Sequence, residues 1–116
     1  MKLPEKLIHE IEAARFSIEH EDGNVYYFGK YSSYGQDFGF SIDTEESLEQ
    51  FADNVREYYD DFDISEEAYM WLDTSGHGKN GAPYEMIDVY KDMEECEGFI
   101  WELYQILLNY DEQEEE

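Results

Sequence analysis

The hydrophobic pattern of residues 15–42 has a period of two, and this period restricts the segment to β-structure. Three alternating runs lie in it, at residues 15–21, 24–31 and 38–42. Asp22-Gly23, a dipeptide typical of tight hairpin turns, separates the first two runs, and a loop at residues 32–37 separates the second from the third. The pattern therefore predicts three strands that form an antiparallel meander.

Apolar residues at helical spacing predict four helices around this sheet. These helices are expected at residues 4–14, 43–59, 68–72 and 84–110. Pro4 suits the first position of the first helix, Asp43 with Glu46 fits a capping box for the second, and Asp63 is a further possible cap. A strand is the alternative for residues 68–72.

A glycine-rich loop is expected at residues 74–83, before the last helix, and a charged tail at residues 111–116 follows that helix. The element order is thus α-β-β-β-α-α-loop-α. It predicts a single α+β domain of residues 1–110, in which helices pack on the three-stranded meander.

The charge of the chain limits its binding partners. The chain has 31 Asp and Glu against 7 Lys and Arg, a formal net charge of −24. A protein of this charge is not expected to bind nucleic acid or an anionic membrane directly. The 11 Tyr, 7 Phe and 2 Trp argue against disorder, and no apolar run has the length of a membrane span. Cys96 is the only cysteine, which favours a cytoplasmic location.

The acidic residues are concentrated in residues 43–63, where nine acids accompany one base, Arg56. Five acids at three- or four-residue steps are expected on one helix face: Glu46, Glu49, Asp53, Glu57 and Asp60. Like charges at this spacing repel each other, and a helix that needed only solubility would interleave lysines. Duplex DNA carries one phosphate per about 1.7 Å of axis, so 24 charges correspond to about 12 base pairs. We hypothesise that this face imitates nucleic acid and binds a basic protein; the alternative is an acidic surface that serves only solubility.

Patterns for catalysis or metal binding are weak. Asp61 and Asp63 suit the start of an EF-hand loop, but Glu66 stands where that loop requires glycine. The three histidines form no H-x-x-H pair, and the acids beside Cys96 would raise the pKa of its thiol. We therefore expect no enzymatic activity, no cofactor and no metal.

Two further segments could contact a partner. The loop of Gly76–Gly81 lacks the spacing of a phosphate-binding loop, but His77 and Lys79 are second-choice contact residues; the alternative is a polar turn. Tyr26, Phe28 and Tyr34 would form an interaction patch if they were exposed together. A chain that used this aromatic patch or the glycine-rich loop would be an accessory or interaction domain of a phage or mobile element. Trp101 is expected in the core.

Short motifs in the first 72 residues carry a resemblance to a known family. They are L-I-x-E-I at residues 7–11, an aromatic-led strand from Phe16, E-S-x-x-x-x-F at residues 46–51 and E-E-x-Y at residues 66–69. In these motifs and in element order the chain resembles the small acidic type II anti-CRISPR proteins, which occupy the PAM-reading cleft of an RNA-guided nuclease. The resemblance implies that Asp37, Asp63, Glu66 and Glu67 imitate DNA phosphates and base edges. In size and acidity the chain is also similar to phage anti-restriction DNA mimics.

These observations predict a DNA mimic that binds and inhibits a basic nucleic-acid-binding protein, such as a CRISPR nuclease or a restriction enzyme. The expected contact residues are Asp37, Glu46, Glu49, Asp53, Glu57, Asp60, Asp61, Asp63, Glu66 and Glu67. A monomer and a dimer are both open.

Overall fold

A computed structural model describes residues 2–33, 35, 37–70 and 86–110. Within them lie α1 (Glu5–Ala13), β1 (Ser17–Asp22), β2 (Val25–Tyr31), β3 (Asp37–Asp43), α2 (Leu48–Asp61), α3 (Ile64–Met70) and α4 (Met86–Asn109). The predicted α+β class and element order are confirmed. The loop predicted at residues 74–83 and the tail at residues 111–116 lie outside the described residues.

The three strands form one antiparallel sheet in the order β1-β2-β3, so the predicted meander is confirmed. Gly23 in the first hairpin has φ +53°, a left-handed conformation that glycine adopts without steric cost. Alternate residues of β2 and β3 point to one face and are buried: Tyr26, Phe28, Phe38, Phe40 and Ile42. The helices pack on this face, which we name the inner face of the sheet.

Phe28 lies at the centre of the core and has no exposed surface. Its ring stacks on Phe51 of α2 at a centroid distance of 5.7 Å and lies 6.0 Å from the ring of Phe40. One side of α4 is buried along the helix through Val89, Met93, Cys96, Ile100, Leu103 and Leu107. This helix packs on α1, α2 and α3, which gives two layers, a sheet and a set of helices. Within the described residues, no helix is both long and apolar enough to cross a membrane.

The second helix begins at Leu48, later than expected, so the predicted capping box of Asp43 and Glu46 is wrong. Ser47 is the N-cap, and its hydroxyl accepts a hydrogen bond from the backbone N–H of Gln50 at 3.1 Å. The side chain of Gln50 accepts in return from the N–H of Glu46, at 3.0 Å. Glu46 therefore precedes the helix.

The third helix, Ile64–Met70, begins four residues before the predicted start. Asp63 is confirmed as its cap, because its carboxylate accepts a hydrogen bond from the N–H of Glu66 at 3.1 Å. The strand alternative is wrong for residues 68–70, and residues 71 and 72 lie outside the described residues. In the first helix Pro4 is the N-cap, one position before the predicted one.

Trp101 was expected in the core, but it is 37% exposed on the surface of α4. Its ring lies 4.9 Å from that of Tyr59 and 5.4 Å from that of Tyr104. The guanidinium of Arg56 lies over the indole, 5.5 Å from its centroid. Trp101 therefore contributes to a cluster at the junction of α2 and α4, where one side of the ring remains in water.

Candidate functional site

A groove of about 450 Å³ opens where the end of β3 meets α2 and α3. Its lining contains six carboxylates, from Asp43, Glu57, Asp61, Asp63, Glu66 and Glu67. Its apolar lining comes from Ile42, Tyr58 and Phe62, and its neutral polar lining from Ser41 and Asn54. The described lining includes no Lys or Arg. We name this feature the acidic groove.

The reversal of the chain between α2 and α3 places carboxylates on two sides of the groove. Phe62 ends α2 by donating its N–H to the carbonyl of Tyr59 at 3.2 Å. The Phe62 ring packs edge-on against Phe38 of the sheet, with centroids 5.9 Å apart. This contact fixes the turn, so that Glu57 and Asp61 at the end of α2 lie near Glu66 and Glu67 at the start of α3.

Tyr58 provides an aromatic wall for the groove. Its ring stacks on Phe40 of β3, with a centroid distance of 5.1 Å. Burial raises the pKa of the Tyr58 hydroxyl, and the charge of Glu67 raises it further. The phenol therefore stays protonated at neutral pH and presents an O–H donor beside the carboxylates.

Asn54 links the groove end of the sheet to α2. Its side-chain amide donates to the backbone carbonyl of Asp43 at 2.8 Å and to the carboxylate of Glu45 at 2.6 Å. The Asp43 carboxylate in turn accepts from the N–H of Glu45 at 2.7 Å. These bonds hold the end of β3 against the middle of α2.

The structure brings half of the predicted contact residues together. Those that line the groove are Glu57, Asp61, Asp63, Glu66 and Glu67. Glu49 and Asp53 are exposed on α2 outside the groove, and Glu46 is exposed before that helix. Asp37 is exposed at the opposite end of β3 from Asp43. The predicted contact residues thus divide into a groove set and a set on the outer surface, and Glu57 is the one member of the predicted helix face that lines the groove.

Asp60 faces a second, shallower depression that adjoins the acidic groove. Asp61 and Asp63 line both features, and Glu97 of α4 contributes another carboxylate to the second. Asp60 also forms an ion pair with Arg56 one turn earlier, with Nε and Oδ1 3.0 Å apart. This exposed pair offsets part of the repulsion on α2, although such pairs are worth little in water. His77 and Lys79 lie outside the described residues.

Sequence reasoning did not assign six of the lining residues to a contact surface, and Asp43, Asn54 and Phe62 are the most informative of them. Asp43 was assigned to a helix cap, although its place at the end of an alternating strand also suited the sheet. Asn54 and Phe62 carried no signal of their own in the sequence. Their contribution depends on the packing of α2 against β3, which spacing along one element does not specify.

The outer face of the sheet is the other exposed surface with aromatic character. The Tyr27 ring lies across Gly39, since a Cβ at that glycine would overlap the ring. Burial raises the pKa of Tyr27, and the carboxylates of Asp37, Glu19 and Glu21 raise it further. Tyr31, 69% exposed, lies beyond it on the same strand.

The predicted aromatic patch is wrong in two of its three members. Tyr26 and Phe28 are buried on the inner face of the sheet. Tyr34 lies outside the described residues. The odd-numbered tyrosines of β2, Tyr27 and Tyr31, are the ones on the outer face.

Two titratable groups are buried on α4. Asp92 is 1% exposed, and neither of its carboxylate oxygens accepts a hydrogen bond within normal geometry. Burial raises the pKa of Asp92, with a smaller contribution from Glu95, while the nearby Ser32 hydroxyl opposes the rise. The pKa of the buried Cys96 thiol is also raised, by burial and then by the charges of Asp92 and Glu95. The thiol is therefore a poor nucleophile at neutral pH.

Replacing Asp92 with asparagine is expected to raise the free energy of unfolding at pH 7 by about 1 kcal/mol. Because the folded pKa is raised, the folded state binds a proton more tightly than the unfolded state, and stability is lost as pH rises through the folded pKa. The gain from Asp92→Asn should therefore disappear well below about pH 4, where the Asp92 carboxyl is protonated in both the folded and the unfolded state. Urea denaturation of the wild type and of Asp92→Asn over the range from pH 7 to below about pH 4 measures the gain. Glu94→Gln, at an exposed position of the same helix, is the matched control. An equal gain from both variants would contradict the prediction.

Among the described residues, no group of three or more His, Cys, Asp or Glu side chains is arranged to hold a metal ion. Comparison with protein-family models, with curated proteins and with solved structures finds no match to this chain.

Proposed function

We propose that this protein is a non-enzymatic, cytoplasmic DNA mimic that binds a basic nucleic-acid-binding protein and blocks its access to nucleic acid. A CRISPR nuclease or a restriction enzyme is the partner class that we propose. The observation that supports the proposal best is the acidic groove, where carboxylates from β3, α2 and α3 converge without a basic residue in the described lining. Such a site attracts lysine and arginine side chains that normally contact phosphates.

The dimensions of the protein also support mimicry. Its longest dimension is 53 Å, and a DNA duplex of that length carries about 31 phosphates. The whole chain has 31 acidic residues and 7 basic ones. The density of negative charge is thus similar in order of magnitude to that of a duplex. A rigid protein surface would compete for a DNA-binding cleft without the cost of bending a nucleic acid.

Two of the cations are already engaged within the protein. Lys30 pairs with Glu102, and Arg56 pairs with Asp60. Neither pair involves a groove carboxylate. The negative charge of the groove should accelerate encounter with a basic surface.

The test is competition with DNA. We would measure the binding of a fluorescent duplex to a guide-loaded type II CRISPR nuclease and to a panel of restriction enzymes, with and without the protein. We expect displacement of DNA from at least one of them in about 50 mM salt. Direct affinity for that partner should fall by at least about 100-fold in about 200 mM salt.

A matched pair of triple variants separates the groove from overall charge. Glu57→Gln, Asp61→Asn and Glu66→Gln together neutralise three groove carboxylates. Glu5→Gln, Glu10→Gln and Glu12→Gln remove the same charge from exposed positions of α1. We expect the groove variant to lose most of its inhibition and the α1 variant to keep it. If no basic DNA-binding protein is displaced at low salt, the proposed function is wrong.

A second candidate is an accessory interaction domain of a phage or mobile element whose acidity serves only solubility. The exposed Tyr31 and the partly buried Tyr27 on the outer face of the sheet favour it. Under that function, Tyr31→Ser would abolish partner binding and the groove variant would not. The same two variants therefore discriminate between the candidates.

A further inference from the structure

Among the described residues, β3 lies at an edge of the sheet, and its unpaired side borders the acidic groove. The sheet has the order β1-β2-β3, so β3 pairs with β2 on one side only. Ser41, Ile42 and Asp43, the last three residues of the strand, line the groove. An unpaired edge presents a row of backbone donors and acceptors that can template another strand.

The register identifies which backbone groups point to that edge. Thr44 donates its N–H to the carbonyl of Asn24 at 2.9 Å. Asn24 is the residue opposite Thr44 if the register of β2 and β3 is continued by one residue. Hydrogen-bonded and non-hydrogen-bonded pairs alternate along an antiparallel ladder. Ile42 and Phe40 therefore bond to β2, while Ser41 and Gly39 direct their N–H and C=O groups outward.

The bond from Asn54 supports this assignment independently. Its amide reaches the backbone carbonyl of Asp43 from the α2 side, so the carbonyl of this odd-numbered residue points away from β2. Among the described residues, no hydrogen bond to the outward backbone groups of Gly39 or Ser41 is present. The free part of the edge thus extends from the middle of β3 into the groove.

The residues beside the free edge of β3 determine which kind of strand could bind there. A strand placed beside β3 would direct alternate side chains toward Tyr58 and Phe62, and toward the carboxylates of Glu57, Asp61 and Glu66. Long cationic side chains suit that environment, because their methylene stems pack on the aromatic rings and their charged ends reach the carboxylates. An acidic strand would be repelled by these carboxylates, and a purely apolar strand would leave them without a partner.

We propose that an extended basic segment of the partner, with Arg or Lys at alternate positions, adds to the free edge of β3 as a fourth strand in the acidic groove. This inference rests on the proposed function, since it specifies how the basic partner is held. Backbone hydrogen bonds at Ser41 and Gly39 would align the added strand with β3, and the groove carboxylates would select a strand with basic side chains.

The test uses a defined probe, the acetylated and amidated heptapeptide TRTRTRT. We expect it to bind the full chain and to slow amide exchange at Gly39 and Ser41 by about tenfold or more, with little change at Phe40 and Ile42. Protection without this alternation would overturn the proposal.

Two modified peptides separate strand addition from charge attraction. One is N-methylated at its three arginines and the other at its inner threonines, so both keep the charge of the parent. Only one set of amides can face β3, because donors alternate between the two sides of a strand. We therefore expect one modified peptide to lose about tenfold or more in affinity and the other to bind like the parent. Equal affinities of the two peptides would overturn the proposal.

Variants of Ser41 in the full chain test whether strand addition at β3 is needed for inhibition. Ser41→Pro removes an outward N–H that makes no ladder bond, whereas Ser41→Ala keeps that N–H and loses only the hydroxyl bond to Glu21. The alanine variant measures the contribution of the hydroxyl alone. We expect the proline variant to lose at least about tenfold more peptide affinity than the alanine variant, and to lose more of the inhibition of the nuclease. If the folded proline variant inhibits as the wild type does, strand addition is wrong and the proposed function stands. If the wild type displaces DNA from no basic protein, the proposed function itself fails.

Discussion

Replacement of Phe28 by alanine is expected to lower the free energy of unfolding by about 3–5 kcal/mol. The side chain is fully buried, and it contacts the second helix through Phe51 and the third strand through Phe40. Its removal leaves a cavity at the point where sheet and helices meet. Because small domains have a total stability of only about 5–15 kcal/mol, much of the population should be unfolded at physiological temperature.

Urea denaturation in moderate salt, which screens the repulsion of the acidic surface, measures this loss. Tyr31→Ala on the same strand is the control, since the side chain of Tyr31 is 69% exposed. The control should change the free energy of unfolding by no more than about 0.5 kcal/mol. A similar small change for Phe28→Ala would contradict the packing of the core described above.

The second large effect is expected at Lys30, where alanine should cost about 2–3 kcal/mol. Lys30 points to the inner face of the sheet, and its side chain is 15% exposed. Its ammonium lies 2.5 Å from the carboxylate of Glu102 and 4.8 Å from the ring centroids of Phe16 and Phe99. The loss combines the ion pair, the two ring contacts and the packing of the methylene stem.

Lys30→Met separates these contributions, because methionine keeps most of the apolar stem and removes the charge. We expect Lys30→Met to cost about half as much as Lys30→Ala. Since the ammonium is largely shielded from water, the cost should persist at high salt, whereas the exposed pair of Arg56 and Asp60 should be screened. Thermal and urea unfolding at two salt concentrations provide both comparisons. A cost for Lys30→Ala that vanishes in high salt would contradict this account.

Much of the fold could be predicted because local periodicity and tertiary packing agree. The alternation in β2 and β3 predicted both strands, and the same alternation buries Phe28, Phe38 and Phe40. The start of α2 could not be predicted, because two signals of similar local strength compete there. Asp43 with Glu46 and Ser47 with Gln50 both resemble caps. Strand pairing with β2 retains Asp43 in the sheet and leaves Ser47 as the cap.

The candidate site was predictable in its charges but not in its shape. Helical spacing identified Glu57 as an exposed acid, and Asp61 was among the predicted contact residues. It did not indicate that the turn at Phe62 would bring α3 alongside them, because that turn depends on contact with Phe38 across the core. Aromatic residues on both faces of β2 also left the buried face undetermined, so the exposure of Tyr27 and Tyr31 followed only from the position of the helices.

The carboxylates beside the free edge of β3 have a consequence for the protein at high concentration. Exposed edges are where identical chains pair with one another and begin to aggregate. Two copies that paired edge to edge at this end of β3 would bring their two acidic grooves close together. The repulsion would oppose self-association while leaving the edge accessible to a positively charged strand. The chain is therefore expected to reach high concentration without pairing of the open edge starting its own aggregation.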